Sequence, residues 1–383
     1  MAAERPEDLI WPHHRRGPRV HRSSPAVSDP LPRRGAGRVA PVVPAPLFLG
    51  SLRRRAGPGL ISSVTPMALT TQKTKTSAEY TTVPWKEVSF FLIFTMAAAW
   101  ITALPMWIAD VGPGDAVFLL ISVGTMLTPS LGAFVTLRIF RPARGMARST
   151  GLIPPSWRQM WGYNLLGLAY PIVAALLALP LGLITGINDL DLTQMSGVRA
   201  LVAPWIELAS ADPAQIMLSG VLAMAVSFLI GLIPCFGEEW GWRGYLLPRL
   251  MPLGMWPTLL ISGALWALWH APLVLRGFNY DDGGIAGMVA MTVSCMLAGI
   301  VLGWLDLSSG SVWPAVVAHS SNNTFAVLIT SGLGVNAATQ VDPLLSQIPV
   351  WVTTALIVAV LVIRRAGSFA RAHVRGRSRA RVA

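Results

Sequence analysis

The chain has 383 residues, 53% of them hydrophobic and only 13% charged, with a mean hydropathy of +0.55. Soluble globular domains carry about a quarter charged residues, so this composition excludes an ordinary soluble protein and points to a polytopic membrane protein. The net charge of +12 does not indicate a nucleic-acid partner: eleven arginines fall in residues 1–66 and seven more between Arg364 and Arg381, with no aromatic interleaving or groove-reading motif beside them.

Residues 1–84 form a basic tail rich in Pro, Arg, Gly and Ser. Its longest apolar stretch, Pro41 to Gly50, holds three prolines. Such a segment cannot bury enough apolar surface to offset its ordering entropy, so it is expected to be disordered. It lacks the basic start and apolar core of a secretory signal, and a true start near Met67 is one expectation for it. Arginine-rich tails on a membrane protein read as cytoplasmic anchors beside anionic lipid.

From Trp85 the character changes. Apolar segments over residues 88–108, 116–140, 161–186, 214–236, 256–275, 285–305, 312–332 and 347–363 are each long enough to cross a bilayer. Trp85, Trp107, Trp161, Trp256, Trp304, Trp313 and Trp351 sit near segment ends, as interface anchors do. The loop after the second segment carries Arg141, Arg144, Arg148 and Arg158, and the loop after the fourth carries Arg243 and Arg249. The other side carries Asp110, Asp115, Asp189, Asp191, Glu207, Asp212, Asp281, Asp282 and Asp342 against Arg199 and Arg276, while the short link after the sixth offers only Asp306. This pattern predicts an all-α polytopic helical bundle of about eight transmembrane helices with both termini cytoplasmic. Residues 85–211 would hold the first three helices, 212–335 a core, 336–366 the last helix and 367–383 a basic tail. Cys235 and Cys295 lie inside apolar segments, form no CxxC pair, and read as small buried hydrophobes.

Ionisable groups at membrane depth are costly and mark working sites by default. The first such stretch is Gly-Glu-Glu-Trp-Gly-Trp-Arg-Gly-Tyr at 237–245. On a helix Glu239 and Arg243 share a face, four residues apart, whereas Glu238 is turned about 140° from Arg243. Glu239 is therefore expected to pair with Arg243, leaving Glu238 to hold a water or a metal, with Gly241 giving room on its face. Pro234 and Gly237 are expected to break the helix, placing both carboxylates in the first turn of a new one. The competing reading is an interfacial salt-bridge cluster capping a helix. The second stretch is Trp266-Ala-Leu-Trp-His270, and the third is His319-Ser-Ser-Asn-Asn323. A histidine in an apolar helix can be a packing residue. Here, however, four of the six histidines lie in the tails, and the other two, His270 and His319, both fall in apolar spans. A glutamate and two histidines can activate a water, directly or through a bound zinc, and an asparagine or histidine aimed at a carbonyl can stabilise an oxyanion.

Glu-Glu-x-x-x-Arg at 238–243, aromatic-x-x-x-His at 266–270 and His-x-x-x-Asn at 319–323, in this order on membrane helices, resemble the CPBP family of CAAX proteases and bacteriocin-processing enzymes. This family is also called Abi and includes the type II CAAX prenyl endopeptidases. The resemblance covers residues 212–332 closely. It implies that Glu238 and His270 position and activate the attacking water, that His319 and Asn323 support the oxyanion, and that Glu239 and Arg243 assist. It also implies a membrane-embedded or lipid-modified peptide as substrate. The family's metalloprotease label makes zinc, on Glu238, His270 and His319, the cofactor to test. Trp266 stands where phenylalanine is frequent. Neither His-Glu-x-x-His nor a Gly-x-Ser-Gly or Gly-x-Gly-Asp motif occurs. The alternatives are a non-catalytic scaffold or bacteriocin-immunity protein on the same fold and, further off, a transporter.

Overall fold

The computed structural model of the chain describes residues 82–140, 145–203, 211–280, 284–336 and 343–364. The expected tails, up to residue 81 and from residue 365, lie outside the described residues, as do Arg141, Arg144, Glu207, Asp281, Asp282 and Asp342. The described chain is helical apart from one small ladder. In order it forms α1 (Trp85–Ile108), α2 (Ala116–Met126), α3 (Thr128–Phe140), the short α4 (Met146–Ser149), α5 (Trp157–Ile184), β1 (Asn188–Leu190), α6 (Ser196–Val202) and α7 (Pro213–Glu239). A π-helical stretch, Trp240–Leu246, carries α7 on into α8 (Leu247–Leu250). There follow α9 (Met255–Trp269), α10 (Ala271–Val274), α11 (Gly284–Ser309) and α12 (Trp313–Ser321), which continues through π-turns to Leu333, then β2 (Gly334–Asn336) and α13 (Pro343–Arg364).

Among the described residues six helical stretches are long and apolar enough to cross a membrane: Trp85–Ile108, Ala116–Phe140, Trp157–Ile184, Pro213–Leu253, Gly284–Ser309 and Leu345–Ile363. The other two expected spans are helical but interrupted. Helix α9 has 15 residues and stops at Trp269, just before His270 and Pro272. Helix α12 has 9 residues before its ladder loosens to π spacing at Asn322. Both interruptions fall at motif residues, as π-bulges at functional sites often do.

Local chemistry sets several boundaries. Asp212 caps α7 in a reciprocal capping box with Gln215, and Pro213 occupies the first turn. Ser156 caps α5 by accepting the Gln159 N–H. The Leu127-Thr128-Pro129 sequence separates α2 from α3, since a proline ring removes an N–H and crowds the preceding turn.

Loop contacts tie the helix ends together. Arg249, after α7, donates to Glu87 at the start of α1 (3.2 Å). Arg276, after α10, reaches Asp110 after α1 (2.7 Å). The strand after α5 pairs antiparallel with the strand after α12, Asn188 opposite Asn336. Ser311 and Val312, after α11, both bond the Gly151 carbonyl before α5. Each contact joins segments that alternation of the spans places at one end of the bundle.

Helix α7 changes environment along its length. Leu222, Leu229, Ile230 and Ile233 are exposed, as lipid-facing side chains would be, whereas Cys235, Gly237, Glu238 and Glu239 are buried. Trp242, Tyr245, Leu246 and Leu250 continue the run into the largest core cluster, with Phe91, Trp266, Trp269 and Leu305. Two expectations need correction. Trp304 is buried edge-on against Tyr163 (5.7 Å between rings) and is not an interface anchor. Asp306 is fully buried in the last turns of α11 and does not lie in an exposed link.

Candidate active site

The helix carrying Glu238 and Glu239 does not break at Pro234. It runs unbroken to Glu239, so the carboxylates occupy its last turn and not the first turn of a new helix. Pro234 is tolerated because neighbouring groups in a helical bundle take up freed backbone capacity. Ser130 Oγ, at the start of α3, donates to the Gly237 carbonyl at 2.7 Å. Contrary to expectation, Gly241 does not open space beside Glu238: a side chain there would collide with Pro129. A Cβ on Gly237 would lie 2.6 Å from the Met126 carbonyl oxygen. The two glycines, one turn apart, thus let the helix seat directly on the α2–α3 break.

That seating fixes which way each carboxylate points. Glu239 Oε1 accepts Arg243 Nη1 at 2.9 Å, the i,i+4 pair expected from spacing, and also accepts His319 Nδ1 at 2.9 Å. Glu239 Oε2 is buried with no hydrogen-bond partner among the described residues. Glu238 Oε2 accepts the Trp266 indole N–H at 2.6 Å and lies 3.8 Å from His270 Nε2. All four of Glu238, Glu239, Arg243 and Trp266 are at most 5% exposed, a density of buried polar groups that demands mutual pairing.

His270 caps the end of α9. Its Nδ1 lies 2.9 Å from the Trp266 carbonyl, an acceptor only, so Nδ1 carries the proton and Nε2 presents its lone pair toward Glu238. Trp269 packs edge-on against the imidazole (4.6 Å), and its indole N–H donates to Thr128 at the α2–α3 break (3.0 Å). Cys295 Sγ lies 3.9 Å from the same Nδ1. Because that nitrogen already bears hydrogen, it cannot accept the thiol proton, and a Cys–His nucleophilic pair is not formed.

His319 is held through its neighbours. Ser320 Oγ donates to the Phe228 carbonyl of α7 (2.7 Å), and Ser321 Oγ to the Leu168 carbonyl of α5 (2.8 Å). Asn323 lies one turn on, exposed, with Nδ2 3.9 Å from Cys235 Sγ. A cavity of about 540 Å³ joins these parts; Glu238, Trp266, His270, His319 and Asn323 line it, whereas Glu239 and Arg243 stand behind its wall. Its other walls mix apolar side chains such as Phe278, Met291 and Leu302 with neutral polar ones, Tyr170, Asn322 and Gln347 among them. Residues 220–325 match the family model for type II CAAX prenyl endopeptidase Rce1-like proteins, and the match takes in all three motifs. The similarity to Rce1-like proteins is confined to that stretch, less than a third of the chain. No curated protein matches the chain.

Within the matched segment, Glu238, His270 and His319 are brought to one cavity wall. Among the described residues no three His, Cys, Asp or Glu side chains converge as a metal-binding group. His319 Nδ1 is taken by Glu239, His270 Nδ1 by a carbonyl, and Glu238 Oε2 by an indole. These contacts leave Nε2 of both imidazoles and the other oxygen of Glu238 open, and an Nδ1–H held by a carbonyl or carboxylate is the usual support of a metal-bound histidine, so the donor types would suit a zinc held by Glu238, His270 and His319. Sequence reading missed the hydrogen bond from Trp266 to Glu238 and the support from the α2–α3 break. The first had a signal, an indole where the family often has a phenyl; the second had only a Thr-Pro pair.

Proposed function

We propose that the chain is an intramembrane endopeptidase that hydrolyses a peptide bond of a membrane-embedded or lipid-modified substrate with a water activated by Glu238 and His270. The observation that carries this reading is the 3.8 Å separation of Glu238 Oε2 and His270 Nε2 on a cavity wall, inside a segment matched to prenyl endopeptidases. A water about 2.8 Å from both atoms would donate one hydrogen to each, leaving its lone pairs for the substrate carbonyl carbon. Glu238 takes one proton as the O–C bond forms and the carbonyl electrons move to oxygen. Asn323 Nδ2 and, with His319 as the imidazolium, its Nε2–H then supply donors to that oxyanion, Glu239 of the Glu239–Arg243 pair holding the ring by its Nδ1–H. Return of the proton from Glu238 to the amide nitrogen breaks the C–N bond, giving a carboxylic acid and an amine. Written this way the reaction needs no nucleophilic serine or cysteine, and no zinc.

The same reading sets both termini in the cytoplasm and lays their arginines against anionic lipid. Comparative membrane proteomics of wild type against Glu238→Gln tests the function directly. A peptide cut only in wild type is the expected result. Identical peptide populations would favour the scaffold or immunity role.

A further inference from the structure

We propose that Trp266 is a positioning residue that holds both halves of the water-binding pair. The inference rests on the reading of Glu238 as the base. The indole N–H lies 2.6 Å from Glu238 Oε2, at the short end for a charge-assisted bond, and among the described residues it is the only hydrogen bond that the Glu238 carboxylate accepts. From the same residue the main-chain carbonyl holds His270 Nδ1, so it also sets which imidazole nitrogen faces Glu238. The ring is itself fixed: the Arg243 guanidinium carbon lies 4.0 Å from its centroid, and the His319 ring meets it edge-on at 5.3 Å. A packing role asks only for a flat ring. The N–H aimed at a buried carboxylate is surplus to packing, and it fills one lone pair of Oε2 while the rest stay open to the cavity. Arg243 spends Nη1 on Glu239 and its face on the indole, so Glu238 is held by a neutral donor and is not locked in an ion pair.

The test uses full-length protein in detergent and a fluorescence-quenched farnesylated peptide ending Cys-aliphatic-aliphatic-Met. Trp266→Phe keeps a ring over Arg243 and the carbonyl on His270, and removes the N–H. The expected result is a fall in kcat of about tenfold or more with KM within about twofold of wild type, the effect of losing one hydrogen bond to a charged group. Replacing the indole by benzothienylalanine, which puts sulfur where the N–H stands, gives the same fall if the hydrogen bond is responsible. The bond is also read without substrate: the Trp266 indole ¹H–¹⁵N NMR signal, assigned by its loss in Trp266→Phe, is expected to move in Glu238→Ala. Wild-type kcat in Trp266→Phe, a loss confined to KM, full activity with benzothienylalanine, or an unmoved indole signal overturns the inference. Glu238→Gln on the same peptide separates the two claims. If it cleaves, the reading of Glu238 as the base fails and the role of Trp266 with it; if wild type cleaves neither this peptide nor any in the proteomic comparison, the endopeptidase reading fails. If it is silent while Trp266→Phe is normal, only the role of Trp266 fails.

Discussion

Two buried arginines lie six residues apart after α7, and they do different things. Each is about 1% exposed, pairs with a glutamate and lies over an aromatic ring: Arg243 over Trp266 at 4.0 Å, Arg249 over Tyr245 at 3.8 Å. Arg249 closes its account locally, with Nε to Glu87 at 3.2 Å and Nη1 to the Tyr245 carbonyl at 3.0 Å, and it fastens the start of α1 to the bundle. It is not on the cavity wall. The Arg243 cluster does not close. Its glutamate also holds His319, keeps one oxygen unpartnered, and stands beside a second carboxylate that faces the cavity. A buried ion pair alone therefore marks no site, since structural pairs are built the same way. Polar capacity left over beside a cavity does.

The sharpest way to break this comparison is to remove the leftover capacity. Glu238→Ala and His270→Ala are each expected to lower cleavage by about a thousandfold or more while leaving expression and membrane insertion intact, since each removes a group that touches the attacking water. Purified variants assayed side by side decide this, and retained activity in either one would sink the assignment. Arg249→Met is expected to do the reverse. Stability falls by about 2–3 kcal/mol, because Glu87 is left with less compensation, and cleavage per folded molecule is unchanged. Thermal unfolding in detergent reads the loss, and adding Glu87→Gln is expected to recover most of it. A stable but inactive Arg249→Met would mean that the two arginines are not distinct in kind.

The site was legible in the sequence to the extent that its chemistry is rare in apolar helices. His270 and His319 stand out against apolar spans that otherwise lack strong ionisables, Glu238 and Glu239 as adjacent carboxylates ending an apolar run, and four-residue spacing alone paired Glu239 with Arg243. The third partner of that pair, His319, lies 80 residues away, and no local rule brings it there. The supporting α2–α3 break was illegible for a related reason. Thr128, Pro129 and Ser130 look like an ordinary helix interruption, and their meaning comes from contacts to Trp269, Gly241 and Gly237 across more than 100 residues. Pro234 misled in the opposite direction: propensity says break, and packing around Gly237 overrides it.

An exposed carboxylate gives the comparison a low baseline. Asp191, in the turn after β1, accepts the backbone N–H groups of Gln194 (2.8 Å) and Ser196 (2.9 Å). Hydrogen bonds from Ser196 first, then Gln194, hold its carboxyl well below the usual range. A depressed value in the folded state means the contribution is present at neutral pH. It is lost only as pH falls below the ordinary carboxylate value of about 4 and through the folded one. Asp191→Asn is expected to lower the melting temperature by less than about 2 °C at pH 7, with no difference from wild type at the acid end and normal cleavage. A large loss of activity would show that the segment around β1 and α6 acts on the cavity.

The smallest expected effect is that of metal removal, and it asks what the leftover capacity at Glu238 is spent on. The contacts of His270 Nδ1 with a carbonyl, His319 Nδ1 with Glu239 and Glu238 Oε2 with an indole leave both Nε2 atoms and the second Glu238 oxygen open to a water or an ion. The remaining lone pairs of Glu238 and His270 are spaced for a water bridging 3.8 Å. Protein stripped with a tight chelator, assayed for cleavage and analysed for zinc, is therefore expected to retain its rate with no zinc bound. Loss of activity restored by zinc would transfer the water from the carboxylate to a metal. It would bring Nε2 of His270 and His319 onto one ion while their Nδ1 partners stay in place, a change the imidazole ¹⁵N shifts would report.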